Sequence, residues 1–260
     1  MVGITEEFWS RSVPHERIIE RRDCIIALDV SQSMRARDGG ASRLDIAKKK
    51  VAELLAAHAA DRYALYVFAG DAVVLAPLTA DMQCVELFLN DIDDRMIAAS
   101  TTSLAALLKS VLEHDASDTL AAQRTLVVLS DGEDFSENLD ALIEESSQRG
   151  IRVISWAIGA ESGSPIPLYD ERGIAKGHLK ASDGTVVISR REDRALAHLA
   201  EKTGGIFVAQ TDDSQDSERV IAALLSQKTT DREETITLKT PAWIVWIAFA
   251  VAALEWMIAA

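Results

Sequence analysis

Cys24-Ile25-Ile26-Ala27-Leu28-Asp29-Val30-Ser31-Gln32-Ser33-Met34 is an apolar run of strand length that stops at a carboxylate, with a hydroxyl at every second position after it. An unbroken apolar run reads as a strand buried on both faces, as in a parallel sheet covered by helices. If the chain stays extended past the strand, Asp29, Ser31 and Ser33 point the same way, because side chains alternate. Three oxygen-bearing side chains at the carboxyl end of a core strand lie where open α/β sheets bind ligands. With no His or Cys among them, they suit a hard cation such as Mg²⁺. An Asp followed by serines is also ordinary turn and helix-cap chemistry, so the rest of the chain must decide.

Outward from this stretch, strands and helices alternate. Residues 35–42 read as a polar, glycine-containing loop, and Ser42 as the cap of a helix over 43–60 with Leu44, Ala47, Val51, Leu54 and Leu55 at helical spacing. Residues 63–68 form a second strand, and the turn at Gly70-Asp71 leads to an antiparallel edge strand over 72–78. Thr79 is read as the cap of a helix over 81–89, with a loop over 90–101 and a helix from Ser103 to Leu112. Thr125–Leu129 is another short apolar strand, ending in Ser130-Asp131-Gly132-Glu133-Asp134. A helix over 137–149, ending at Gly150, precedes a strand over 151–158. Glycines and prolines punctuate 160–189, read as an inserted loop with a hairpin turning at Ser182-Asp183-Gly184. A helix over 193–202, a strand over 206–209 and a helix over 216–225 follow. The fold class is therefore α/β: a Rossmann-like, doubly wound, mostly parallel sheet with helices on both faces.

The chain has 260 residues, 48% of them hydrophobic, and a net charge of −14 from 27 basic and 41 acidic residues. That size accommodates one sizeable α/β domain and an appendage, and that charge argues against nucleic acid as a partner. Cys24 and Cys84 are expected to be buried free thiols, with no disulfide framework or zinc spacing. Met1 to Pro14 carries Glu6, Glu7 and Arg11 without an apolar core, unlike a secretory leader. The organisation expected is a lead-in over 1–21, a domain over 22–228, a linker over 229–240 and a membrane helix over 241–260. That last stretch is apolar except for Glu255, and as a helix it spans roughly 30 Å, the hydrocarbon thickness. Pro241 suits a first helical turn capped by Thr240, and Trp243, Trp246 and Trp256 stand where an aromatic belt would.

In a parallel sheet the carboxyl ends of the core strands share an edge. Asp29, Ser31, Ser33, Thr102 and Asp131 can therefore meet, three hydroxyls with two carboxylates. Asp29-x-Ser31-x-Ser33, a later Thr and Ser130-Asp131-Gly132 together resemble the metal-ion-dependent adhesion site of von Willebrand factor A domains. The resemblance covers about residues 22–228. It implies that Ser31, Ser33 and Thr102 contact Mg²⁺ (with Mn²⁺ or Ca²⁺ as alternative ions), and that Asp29 and Asp131 hold it largely through water. A partner's Asp or Glu would complete the coordination, making this a noncatalytic protein-interaction module. Ala99-Ser100-Thr101 stands where the family usually has a Gly-rich loop, which leaves Thr101 a rival to Thr102. Glu133 and Asp134 are read as a solvated rim.

Leu28 to Met34, Gly163-Ser164-Pro165-Ile166-Pro167, Thr203-Gly204-Gly205 and Leu254-Glu255-Trp256 are similar to the Bat-type membrane proteins. These carry the same domain and are found beside MoxR-type AAA ATPases. The resemblance implies a single-pass protein of the bacterial inner membrane. Its role would be chaperone-like assembly or stress tolerance with a MoxR-type ATPase and other such membrane proteins, or metal insertion into a periplasmic dehydrogenase. The sequence lacks the N-terminal membrane helices that such proteins often have. Lys228, Arg232 and Lys239 before the helix favour a cytoplasmic domain, whereas the resemblance leans periplasmic.

Enzyme readings fare worse. A haloacid-dehalogenase-type phosphatase places a second Asp two residues after the first, where Ser31 stands. No Gly-x-Ser-x-Gly elbow surrounds Ser31 or Ser33, no phosphate-binding Gly-Lys-Ser/Thr loop occurs, and the five histidines form no His-Glu-x-x-His pattern. A metal-dependent phosphohydrolase and a structural domain with a vestigial site remain the alternatives to an interaction module.

Overall fold

A computed structural model describes residues 22–93, 101–114, 123–134, 138–170, 174–211 and 213–226. The expected membrane helix over 241–260 lies outside them, and among the described residues no helix is long and apolar enough to cross a membrane.

The apolar run forms β1 (Arg22–Asp29), which pairs in parallel with β2 (Arg62–Phe68) on one side and β4 (Gln123–Ser130) on the other. β3 (Ala72–Thr79) is the antiparallel edge strand beyond β2, while β5 (Ile151–Ala157) and β10 (Ile206–Ala209) extend the sheet past β4. The order is β10-β5-β4-β1-β2-β3. After β1 the chain builds outward one way, then returns to place β4 on the other side. β1 and β4 thus flank the point where the strand order reverses, the crevice where open α/β sheets bind ligands.

Alternate residues of β1 feed two cores. Cys24, Ile26 and Leu28 pack with Leu44, Val51 and Leu55 of α1 (Arg43–Ala56), together with Val220 and Leu224 of α6 (Gln215–Leu225). Ile25 and Ala27 face the other layer. There Leu104, Leu107 and Val111 of α3 (Leu104–His114) pack with Ile143 of α4 (Leu139–Gln148) and Leu199 of α5 (Asp193–Lys202). Burial on both sides is why the strand reads as unbroken rather than alternating apolar sequence.

Several local expectations are corrected. The chain does not stay extended to Ser33: a short 3₁₀ turn runs over Gln32–Arg35. The first helix ends at Ala56, four residues early, and His58 adopts φ +49°. The cap of α2 (Met82–Asp91) is Asp81, whose side chain accepts from Cys84 N–H, while Thr79 Oγ1 accepts from Asp81 N–H. Cys24 is buried, but Cys84 is only half-buried. The excursion over 160–189 holds more than one hairpin. β6 (Ser164–Pro165) pairs with β9 (Ile188–Ser189), β7 (Pro167–Tyr169) pairs with β8 (Ala175–His178), and a tight turn over Ala181–Thr185 reverses the chain near the expected position.

Candidate metal centre

Asp29 ends β1 and is completely buried, as is Asp131 just beyond β4. Strand extension places the two carboxylates at one edge, and local turns bring the hydroxyls to them. Ser31 N–H donates to Asp29 Oδ1 at 2.8 Å, folding the chain back on its own carboxylate. The 3₁₀ turn then sets Ser33 Oγ 3.0 Å from Ser31 Oγ. The two serines therefore converge through a turn, not through strand alternation.

Thr102 is fixed by its neighbour. Ser103 N–H donates to Ala69 O at 2.8 Å, tying this loop to the end of β2, and Ser103 Oγ accepts from Ala106 N–H at the start of α3. Thr102 is thereby buried, with Oγ1 donating to Asp29 Oδ2 at 3.4 Å, while Thr101 is exposed. All five residues named from sequence are gathered at one edge, with Thr102 rather than Thr101 turned inward.

Four participants were not foreseen. Ser130 Oγ donates to Asp29 Oδ2 at 2.6 Å and accepts from Gly132 N–H. Arg43, wholly buried at the start of α1, donates to Asp131 Oδ2 at 2.8 Å, to Ser189 Oγ at 2.7 Å and to Asp38. Asp38 in turn accepts from Ala160 N–H. Arg43 left a signal in the sequence: a cation at the first position of a helix opposes the helix dipole, so it needs another reason to be there. The solvated-rim reading of Glu133 and Asp134 is also corrected. Both are half-buried, and Asp134 Oδ1 accepts from Leu104 N–H, capping α3 from a distance of thirty residues.

Burial, and next the neighbouring Asp131 carboxylate, push Asp29 up to about 7, although hydrogen bonds from Ser130 and Ser31 work the other way. Burial also raises Glu133, with Asp131 adding to it. For Asp38, burial is outweighed by Arg43 and its other hydrogen-bond donors, which hold it below the usual carboxylate range. The edge thus concentrates buried negative charge and neutral hydroxyl oxygens. Among the described residues no three His, Cys, Asp or Glu side chains cluster as metal ligands. The donor set is instead two carboxylates with hydroxyls, hard oxygens that fit a cation of the Mg²⁺ type.

Residues 24–133 match the family described as von Willebrand factor type A domain. A relative from Borreliella burgdorferi, an uncharacterized protein, is 26% identical over 197 residues, covering 74% of this chain and 54% of the relative. The chain thus spans about half the length of the relative it matches. The crystal structure of an aerotolerance-related membrane protein from Bacteroides fragilis superposes with TM-score 0.71 at 26% identity, covering 79% of this chain and 99% of that one. BatB from Bacteroides thetaiotaomicron, a conserved hypothetical protein, gives TM-score 0.70 at 25% identity, covering 78% and 96%. Over residues 24–133 the chain is similar to the von Willebrand factor type A domain family, and its likeness in structure runs to the Bat-type, aerotolerance-related membrane proteins.

Proposed function

We propose that this domain is a noncatalytic, Mg²⁺-dependent protein-interaction module held at a membrane through residues 241–260. The observation that carries the reading is the pairing of fully buried Asp29 and Asp131 with Ser31, Ser33 and Thr102 at the switch-point edge. Ser31, Ser33 and Thr102 would contact the ion directly, and Asp29 and Asp131 would hold it largely through water. Because the direct protein contacts are neutral, a bound Mg²⁺ keeps positive character toward an incoming oxygen and can accept an Asp or Glu of a protein partner as a ligand. The membrane location is supported by the apolar composition of 241–260 and by a similar structure described as a membrane protein. A MoxR-type AAA ATPase is the partner class, and chaperone-like assembly or stress tolerance the role, that the Bat-type likeness supports.

Thermal unfolding of the chain in detergent, with EDTA or millimolar Mg²⁺, tests the metal. Ligand linkage raises stability by about 2.7 kcal/mol at a hundredfold excess over Kd. Asp29→Ala should still fold and should lose that rise. An equal Mg²⁺ response in parent and variant would remove the site. Alkaline extraction of membranes, comparing the parent with a chain ending at 240, tests the anchor. Equal retention of both would reject it.

A further inference from the structure

Arg43 does more than neutralise a neighbour. A guanidinium has five N–H donors in a rigid fork, and here each has an acceptor. Nε donates to Asp38 Oδ2 at 2.7 Å, and Nη2 donates to Asp38 Oδ1 at 3.2 Å and to Ser189 O at 3.0 Å. Nη1 donates to Asp131 Oδ2 at 2.8 Å and to Ser189 Oγ at 2.7 Å. Gly159 makes room for the fork, since a Cβ there would stand 2.6 Å from Nε. With every donor engaged and no exposed surface, the group has no freedom to turn away from Asp131.

This fixes what the carboxylates can offer an ion. Oδ2 of Asp131 is held by Arg43, with a longer 3.4 Å bond from Ser189 Oγ. Oδ1 of Asp29 accepts from Ser31 N–H, and its Oδ2 accepts from the Ser130 hydroxyl. Among the described residues, Asp131 Oδ1 is the oxygen most lightly engaged, by a 3.4 Å bond from Glu133 N–H. Neither carboxylate is arranged to give both oxygens to one ion. Ca²⁺ takes six to eight oxygens and readily uses bidentate carboxylates, whereas Mg²⁺ takes six in near-octahedral array and keeps waters. Charge favours a divalent ion without choosing between these two. Asp29, Asp38 and Asp131, when ionised, against Arg43 leave two net negatives, the complement of one divalent ion.

Resting on the metal-binding reading above, we infer that Arg43 is the specificity-determining residue of the centre. By holding one oxygen of Asp131 it selects a small six-coordinate ion over Ca²⁺. A substitution that frees that oxygen opens the site to bidentate binding.

The test is competition on the full chain in detergent. Bound Mn²⁺ is followed by electron paramagnetic resonance while Mg²⁺ or Ca²⁺ displaces it. The parent should favour Mg²⁺ over Ca²⁺, and Arg43→Gln should move that ratio about tenfold or more toward Ca²⁺. Arg43→Lys restores charge without the fork and should move it in the same direction by less. If Arg43→Gln fails to fold, Ser189→Ala carries the test, since it deletes one anchor of the fork and should shift the ratio about threefold. A folded Arg43→Gln, or Ser189→Ala where that variant stands in, with the parent's ratio overturns the inference and leaves metal binding intact. A parent that binds none of the three ions overturns the metal reading and the inference together.

Discussion

The two ends of β1 each carry a buried aspartate, and their surroundings differ in kind. At the amino end, Asp23 receives a two-pronged bond from Arg62, with Nε to Oδ1 and Nη2 to Oδ2 both at 2.8 Å, and Arg124 stands 4.0 Å away. At the carboxyl end, Asp29 is held only by neutral donors among the described residues: an N–H and two hydroxyls. One end supplies its own cation and is a finished part of the fold. The other gathers carboxylates around a single guanidinium that serves Asp131 and Asp38 rather than Asp29. Burying a charge without a partner is costly, so the contrast supports the proposal that the carboxyl end takes an external ligand.

The comparison can be broken from either end. The largest effect is expected for Asp23→Ala, which leaves Arg62 and Arg124 facing an emptied carboxylate position. Loss of one partner from a buried pair costs about 3 kcal/mol, read as a lower midpoint in urea unfolding. Asp29→Asn should do the opposite: without divalent ions at pH 8 it should be more stable than the parent, on the order of 2 kcal/mol. The sign follows from proton binding. Asp29 holds its proton more tightly folded than unfolded, so between about 4 and about 7 the native state binds more protons, and its contribution to stability falls as pH rises. Below that window the penalty is absent; above it, the penalty is complete. Subtracting the Asp29→Asn stability profile from the parent's should isolate this slope from the contributions of Asp38 and Asp216, which run the other way. If Asp29→Asn destabilises as Asp23→Ala does, the two ends are alike and the contrast fails. The smallest effect sharpens the site itself: Thr102→Val should weaken Mn²⁺ binding about tenfold, whereas Thr101→Val, on the exposed side, should leave it unchanged.

Lys50 and Asp216 show that buried charge in this domain need not mean a ligand site. Lys50 reaches from α1 to Asp216 at the start of α6 and sits 5.2 Å from the Trp156 ring centroid, and Trp156 Nε1 donates to Asp216 at 2.9 Å. Cation, anion and indole satisfy one another, as Asp23 and Arg62 do.

The sheet was legible because each core strand is a compact apolar run bounded by polar turns, and α5 and β10 have the limits expected for them. What failed to read was local geometry set by distant partners. Nothing in Asp134 announces that it caps α3, because the helix end it serves is thirty residues away in the chain. Ser33 reaches the site through a turn that strand alternation does not describe, and the hairpins in 160–189 are too short to leave a periodic pattern. Asp29 and Asp131 could be brought together from sequence because strand ends of a parallel sheet share an edge, whereas Ser31 and Ser33 arrive by a turn and Thr102 by the loop before α3. The fork of Arg43 depends on Ser189, 146 residues away, and that pairing has no local trace.

The shortest link across the centre, Ser130 to Asp29, joins positions 101 residues apart. β1 lies between β2 and β4, so its second neighbour is synthesised only after β2, β3, α2 and α3. Until β4 emerges and docks, the Asp29 carboxylate lacks its Ser130 partner. Contacts so distant form late and slowly. On the metal-binding reading proposed above, competence to take up an ion would then report that the sheet has closed.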